Sequence, residues 1–181
     1  MQANIHVNPT AGQLNVVMNA VPLNNQALMA EQSGDFATAE RLHLQAIQIK
    51  EQALGPENPT TALSYNAIGE LYLKMQRLDD AESYLTRAVR IRNSSGTALD
   101  AAISRENIAQ LYELRGDLSR AKQIRSSVPD HVVCAYYHCP GQTFQLKQLK
   151  VCGKCKSAYY CSAACQGKDW NSRHKPLCTA A

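Results

Sequence analysis

The sequence predicts a mainly α-helical protein, a short array of helical hairpins followed by a small cysteine-rich module with little regular structure. Three observations carry this. A turn signature recurs about every forty residues through the first two thirds of the chain, apolar residues between the turns fall at helical spacing, and all seven cysteines lie between Cys134 and Cys178. A self-similar period of that size marks stacked supersecondary units, each too small to bury its own apolar face.

The 181 residues are 45% hydrophobic and 19% charged, which suits a folded chain rather than a disordered one. No apolar run approaches the ~18–20 residues that span a bilayer. Residues 1–22 form an N-terminal segment, read as flexible or partly helical. Asn4, Asn8, Asn15 and Asn19 punctuate it and the first arginine is Arg41, so it resembles neither a secretory signal nor a transit peptide. Clustered thiols without a secretion signal point to metal in a reducing compartment, cytoplasmic or nuclear, rather than to disulfides.

The repeated units come next, over residues 23–128. Ser33-Gly34-Asp35-Phe36 leads to Ala39 and Ala46; Gln76-Arg77-Leu78-Asp79-Asp80 leads to Ala81 and Ala88; Arg115-Gly116-Asp117-Leu118 leads to Ala121. The step is 42 residues from Ala39 to Ala81 and 40 from Ala81 to Ala121. Each unit reads as two helices. In the second, Asn58 caps and Pro59 occupies the first turn, where its missing N–H is harmless. Leu63, Ile68, Leu71 and Tyr72 then fall on one face, and Ala81, Leu85, Ala88 and Val89 stripe the following helix. The third unit starts at the Thr97 cap and turns at Gly116-Asp117.

Residues 23–128 resemble tetratricopeptide repeats. The second unit carries the pattern in Tyr65, Ile68, Gly69, Tyr72, Ala81, Leu85 and Ala88; the third keeps Ile108, Ala109, Tyr112, Gly116 and Ala121; the first is worn at Ala27 and Ala30. The long period is similar to the variant in kinesin light chains. The resemblance implies a concave, peptide-binding surface made by the first helices, with Asn66, Glu70, Lys74, Glu106, Gln110 and Glu113 as its candidates. The paired lysines that chaperone-binding relatives use are not evident.

Residues 129–133 read as a linker. Beyond it the spacing is C-x4-C-x12-C-x2-C-x5-C-x3-C-x8-H-x3-C, formed by Cys134, Cys139, Cys152, Cys155, Cys161, Cys165, His174 and Cys178. Eight thiolate and imidazole donors are what two tetrahedral zinc ions require. Cys152-Gly153-Lys154-Cys155 reads as a zinc knuckle in which Gly153 permits the tight backbone. Cys161 and Cys165 lie one helical turn apart, as do His174 and Cys178, although Pro176 should interrupt the latter helix. The few apolar residues here cannot support a fold unaided, so metal must supply much of its folding free energy.

This stretch, residues 134–178, closely resembles the MYND zinc finger, in Cys152-Gly153-Lys154-Cys155, Tyr159 through Gln166, Asp169-Trp170, His174-Lys175 and Cys178. The resemblance implies interleaved pairing: Cys134, Cys139, Cys161 and Cys165 on one zinc, Cys152, Cys155, His174 and Cys178 on the other. The first pair departs from the family by having four intervening residues rather than two, which leaves His138 or His131 as substitutes for a cysteine.

Eight donors for two structural zincs leave no open coordination position, and no phosphate loop, HExxH or serine triad is present, so an enzyme is not expected. The finger also occurs in SET-domain lysine methyltransferases, but the residues before it read here as repeats. Residues 129–181 carry 7 Lys/Arg against 2 Asp/Glu. Seven thiolates and two dications would reduce that excess to about +2, a weak footprint for nucleic acid. The expectation is therefore a zinc-binding protein-interaction adaptor. The alternative is a transcriptional regulator or corepressor-like factor touching nucleic acid through the basic C-terminal third. The MYND resemblance implies a shallow groove for proline-containing peptides at Tyr160, Ser162, Gln166 and Trp170. A short linker predicts that repeats and finger pack together.

Overall fold

A computed structural model describes residues 10–139 and 141–178. Six helices come first: α1 (Ala11–Gln32), α2 (Phe36–Leu54), α3 (Pro59–Lys74), α4 (Leu78–Ser95), α5 (Ala98–Leu114) and α6 (Leu118–Ser126). They pair in order as antiparallel hairpins. Among the described residues no helix is long and apolar enough to cross a membrane. Within the N-terminal segment, residues 11–22 already belong to α1, which continues through Pro22; residues 1–9 lie outside the described residues.

Side-chain caps start these helices. Asp35 accepts from the Thr38 amide, Asn58 from Thr60, Thr97 from Asp100 and Asp117 from Arg120, each satisfying an amide that the first turn leaves without a partner. The hairpin turns use left-handed backbone at Gly34 (φ 81°), Gln76 (φ 59°) and Gly116 (φ 80°), so the sequence period reappears in the dihedral angles.

The core lies between successive helices. Ala39, Ala46, Ala81, Leu85, Ala88 and Ala121 are fully buried. Gly69 on α3 lets α4 approach so closely that an added Cβ would stand 2.5 Å from Leu85 Cγ. Ile68, Leu71 and Tyr72 face inward, but Leu63 is 44% exposed and lies off the predicted stripe.

A polar latch repeats along with the apolar pattern. Tyr72 on α3 donates to Glu40 on α2 at 2.8 Å while Arg77 pairs with the same carboxylate. One unit later Tyr112 donates to Glu82 at 2.8 Å and Arg115 pairs with it. Each latch joins the first helix of one unit to the second helix of the unit before.

The C-terminal region contains a 3₁₀ turn (Leu146–Gln148), strands β1 (Lys150–Val151) and β2 (Tyr159–Tyr160), helix α7 (Ala163–Asp169), a wide π-type turn (Trp170–His174) and the short helix α8 (Lys175–Leu177). The strands pair antiparallel, Lys150 opposite Tyr160 and Val151 opposite Tyr159. Pro176 sits in the first turn of α8, directly after the π-type turn, so the helix is interrupted where its chemistry demands. Residues 129–133 are tied down: Leu146 N–H donates to the Pro129 carbonyl at 2.7 Å, Val132 pairs with Phe144, and Arg105 of α5 donates to the His131 carbonyl at 2.8 Å.

Candidate metal centres

The fold gathers the eight donors into two clusters. Cys134, Cys139, Cys161 and Cys165 form one; Cys152, Cys155, His174 and Cys178 form the other, with donor atoms in each within 4.8 Å of one another. The partition is the interleaved one that the resemblance implied. The widened first pair closes: Cys139 joins the first cluster, while His131 and His138 lie exposed, His138 edge-on to Tyr136 and Tyr137.

Local structure explains how each donor is aimed. Ser162 caps α7 by accepting from the Cys165 amide at 3.1 Å, which sets Cys161 and Cys165 one turn apart with their sulfurs 3.5 Å from each other. The knuckle closes through Lys156 N–H to the Cys152 carbonyl at 3.1 Å. Its left-handed residue is Lys156 (φ 55°), not Gly153, whose Cβ position meets nothing within 4 Å; the tight backbone assigned to Gly153 belongs to Lys156.

The donor geometry fits zinc. With Zn–S near 2.3 Å, a tetrahedron places two sulfurs about 3.8 Å apart and a sulfur about 3.5 Å from an imidazole nitrogen. Cys139 lies 3.5 Å from Cys161 and 3.9 Å from Cys165, Cys152 lies 3.7 Å from Cys178, and Cys155 Sγ lies 3.5 Å from His174 Nε2. Burial pushes the Cys134 and Cys178 thiols up to about 12, so metal must displace their protons. Burial also opposes the charged form of Cys155, but hydrogen bonds from His174 and Ser157 outweigh it and hold that thiol at about 5. Two structural zinc ions suit these clusters.

The surroundings of the second cluster come from the repeats. His174 turns Nε2 to the sulfurs and Nδ1 toward Glu113 Oε1 of α5, 3.8 Å away. Glu113 is fully buried, paired with Arg125 of α6 at 2.7 Å and with Arg173 of the finger. Burial would raise its carboxyl, but the two guanidinium charges outweigh that and hold it at about 2. Arg125 also grips Glu106 with two bonds of 2.6 and 2.7 Å and donates to the Ser157 carbonyl beside Cys155 at 3.0 Å. Arg173 continues to Asp169, which accepts from the Tyr160 hydroxyl at 2.8 Å.

This network corrects the sequence reading of the concave surface. Glu106 and Glu113 are not free groove carboxylates: both are buried and neutralised by Arg125, and of the two only Glu106 still borders open space. Asn66 is buried too, accepting from Ser104 and Asn107, and Lys74 pairs with Glu31. Glu70 and Gln110 still border open space. The contact was signalled in sequence only by charged residues on an inner helix face and a basic Arg173 next to a metal-ligand histidine.

Of the predicted peptide-groove residues, Tyr160 is fully buried, packed edge-on to His174. It supports the surface from beneath. Ser162, Gln166 and Trp170 are partly exposed along α7 and its flanks, with the Trp170 ring edge-on to His174, centroids 6.1 Å apart.

Comparison with known proteins agrees with this anatomy. Residues 19–94 match the tetratricopeptide repeat model and residues 134–178 the MYND finger model. Among curated proteins, ubiquitin carboxyl-terminal hydrolase 19 of Arabidopsis thaliana is 62% identical over 29 residues, 16% of this chain and 4% of that protein. N-lysine methyltransferase SMYD2 of Gallus gallus is 44% identical over 43 residues, 24% of this chain and 10% of that protein. The chain thus spans a small fraction of both. The crystal structure of BtubC (BKLC) from P. vanneervenii superposes with a TM-score of 0.54 at 25% identity, covering 68% of this chain and 51% of that one. Both matched families are non-catalytic protein-interaction modules, and this chain joins an N-terminal tetratricopeptide repeat to a C-terminal MYND zinc finger with two Cys/His metal-binding clusters.

Proposed function

We infer that the chain is a zinc-dependent adaptor whose finger binds extended, proline-containing peptides across Ser162, Gln166 and Trp170. The supporting observation is that the eight clustered donors suffice for two tetrahedral ions, while these three side chains stay partly exposed between the ligand candidates Cys161 and His174. A saturated site has no position for substrate, so what the module offers is a surface. Trp170 supplies an aromatic wall for a proline ring and Gln166 a hydrogen-bonding amide for an extended backbone. The roles of the eight donors as ligands belong to the same proposal.

Protein rather than nucleic acid is the partner, because zinc-bound thiolates offset the lysines of the C-terminal third. A cytoplasmic or nuclear location follows from the need to keep these thiols reduced. The activities in the names of the two curated relatives stay with those proteins.

Binding of a fluorescent proline-containing peptide to the zinc-loaded chain tests the reading. Trp170→Ala and Gln166→Ala should each weaken it about tenfold or more with zinc content unchanged. Binding indifferent to both changes, or a nucleic-acid gel shift that survives physiological salt, would overturn it.

A further inference from the structure

The finger does not fill the concave face completely. Between α3, α5 and finger residues 133–139 and 141–142 lies a cavity of about 320 Å³, bordered by Glu70, Asn107 and Gln110 on one side and by Tyr136, Tyr137 and Gln142 on the other. It shares no lining residue with the surface at Ser162, Gln166 and Trp170.

Its electrostatics are one-sided. Glu70 accepts from Asn66 at 2.7 Å and Asn107 at 2.6 Å through one oxygen; among the described residues the other receives only the Tyr137 hydroxyl at 3.4 Å. Among the described residues Glu70 is in no ion pair. Two cations act on it through space without pairing with it: Lys74, which is held by Glu31, and the buried Arg92, which is also linked to it through Ser104 and Asn66. Burial raises the Glu70 carboxyl, outweighing these amide donors, the Lys74 charge and the Tyr137 hydroxyl, so the nearby cations only partly compensate it. Glu106 also borders the cavity but is already neutralised by Arg125. Cys134 and Cys139 are also in the wall, and four thiolates would keep a net negative charge around one bound dication.

The aromatic rings suit the same guest. A cation is attracted to the face of a tyrosine ring within about 6 Å, more strongly where water is excluded. Lys168 Nζ already lies 6.0 Å from the Tyr136 centroid. The volume is at the small end for ligand pockets, about 300–1,000 Å³, and has room for one long side chain.

We propose that this cavity is a binding site for a basic side chain, lysine or arginine, presented by a protein partner, with Glu70 as counter-charge and Tyr136 and Tyr137 as the aromatic wall. The site exists only while the finger is docked on the repeats, so it is a composite of both. It goes beyond the proline-peptide surface and does not depend on it.

Amide chemical-shift titration of the zinc-loaded full chain tests this, with N-acetyl-lysine amide, N-acetyl-arginine amide and the uncharged N-acetyl-citrulline amide as probes. Either cation should shift Tyr137, Gly141 and Gln142 saturably, the stronger arm naming the preferred side chain, while citrulline amide should not. Glu70→Gln keeps an acceptor for Asn66 and Asn107 and should weaken the cation about tenfold. If that variant loses zinc or its native spectrum, Tyr137→Leu, at a position already 58% exposed, should still weaken it severalfold. Trp170→Ala should leave the titration unchanged, which separates this site from the peptide surface. Equal shifts from citrulline amide, no shifts from either cation, or undiminished binding in the folded variants would overturn the proposal.

Discussion

The repeat array and the finger solve the same problem by different means. The array stacks alanines, Leu85, Ile68 and Tyr72 into a continuous apolar core, each unit burying the next. The finger buries two small clusters, its own cysteines with Ala135, Ala158 and Tyr160, and Leu149 and Tyr159 with Val132, and its fold is defined by where eight donors meet. One region derives its order from removing apolar surface from water, the other from metal–ligand bonds. Between them lies a third kind of contact, the buried chain of charges from Glu106 through Arg125, Glu113 and Arg173 to Asp169. The two regions are chemically unlike yet docked, and the lesson is that the outer surroundings of the second metal cluster are built in part by the repeats.

Removing the metal is the strongest way to break this comparison. Structural zinc contributes on the order of 10 kcal/mol or more to the folding of small finger modules. A chelator should therefore unfold residues 134–178 while most helical circular dichroism persists. Arg125, Glu106 and Glu113 all belong to α5 and α6, so they stay paired but become hydrated, and the melting temperature of the array should fall by a few degrees. Concerted loss of the whole helical signal on chelation would mean that the array depends on the finger for its existence.

Changing Glu113 sharpens the comparison at the join. Glu113→Gln removes the anion that faces His174 Nδ1 and balances Arg125 and Arg173. Outer partners of a metal-bound histidine typically govern 10–100-fold in metal affinity. Competition with a chromophoric chelator should show one zinc per chain weakened within that range and the other, at Cys134, Cys139, Cys161 and Cys165, unaltered. Equal weakening of both would show that Glu113 acts on the finger as a whole, not on His174.

Much of this anatomy was legible in the sequence, and unevenly so. Periodicity located the hairpins because alanine stripes and turn glycines obey a local rule, and ligand spacing located the finger because zinc accepts few residue types. The latches were written there too: Glu40 and Glu82 directly follow Ala39 and Ala81, 42 residues apart, and their partners Tyr72 and Tyr112 recur 40 residues apart. What could not be read was which polar residues of the inner helix face would be covered. Glu106 and Glu113 look like a solvated groove until a second module lands on them, and no local pattern encodes that landing; Asn66 is covered by the neighbouring α5, through Ser104 and Asn107. Leu63 and Gly153 fail for a related reason, since a helical stripe has an edge and a knuckle can place its left-handed residue at Lys156.

The smallest effect probes the array alone. Its three hairpin turns share one left-handed position, filled by glycine at 34 and 116 but by Gln76 in the middle. A non-glycine side chain there crowds its own backbone, whereas glycine adopts the conformation freely but loses more entropy on folding. Gln76 is exposed and its amide makes only a long 3.4 Å bond to the Leu73 carbonyl, so little is lost with the side chain. Relief of strain should narrowly win: Gln76→Gly is expected to stabilise the array by about 0.5–1 kcal/mol, read as a higher urea midpoint at constant slope, with zinc affinity unchanged. A lower midpoint would show that the second turn draws on contacts of Gln76 that its two counterparts do without.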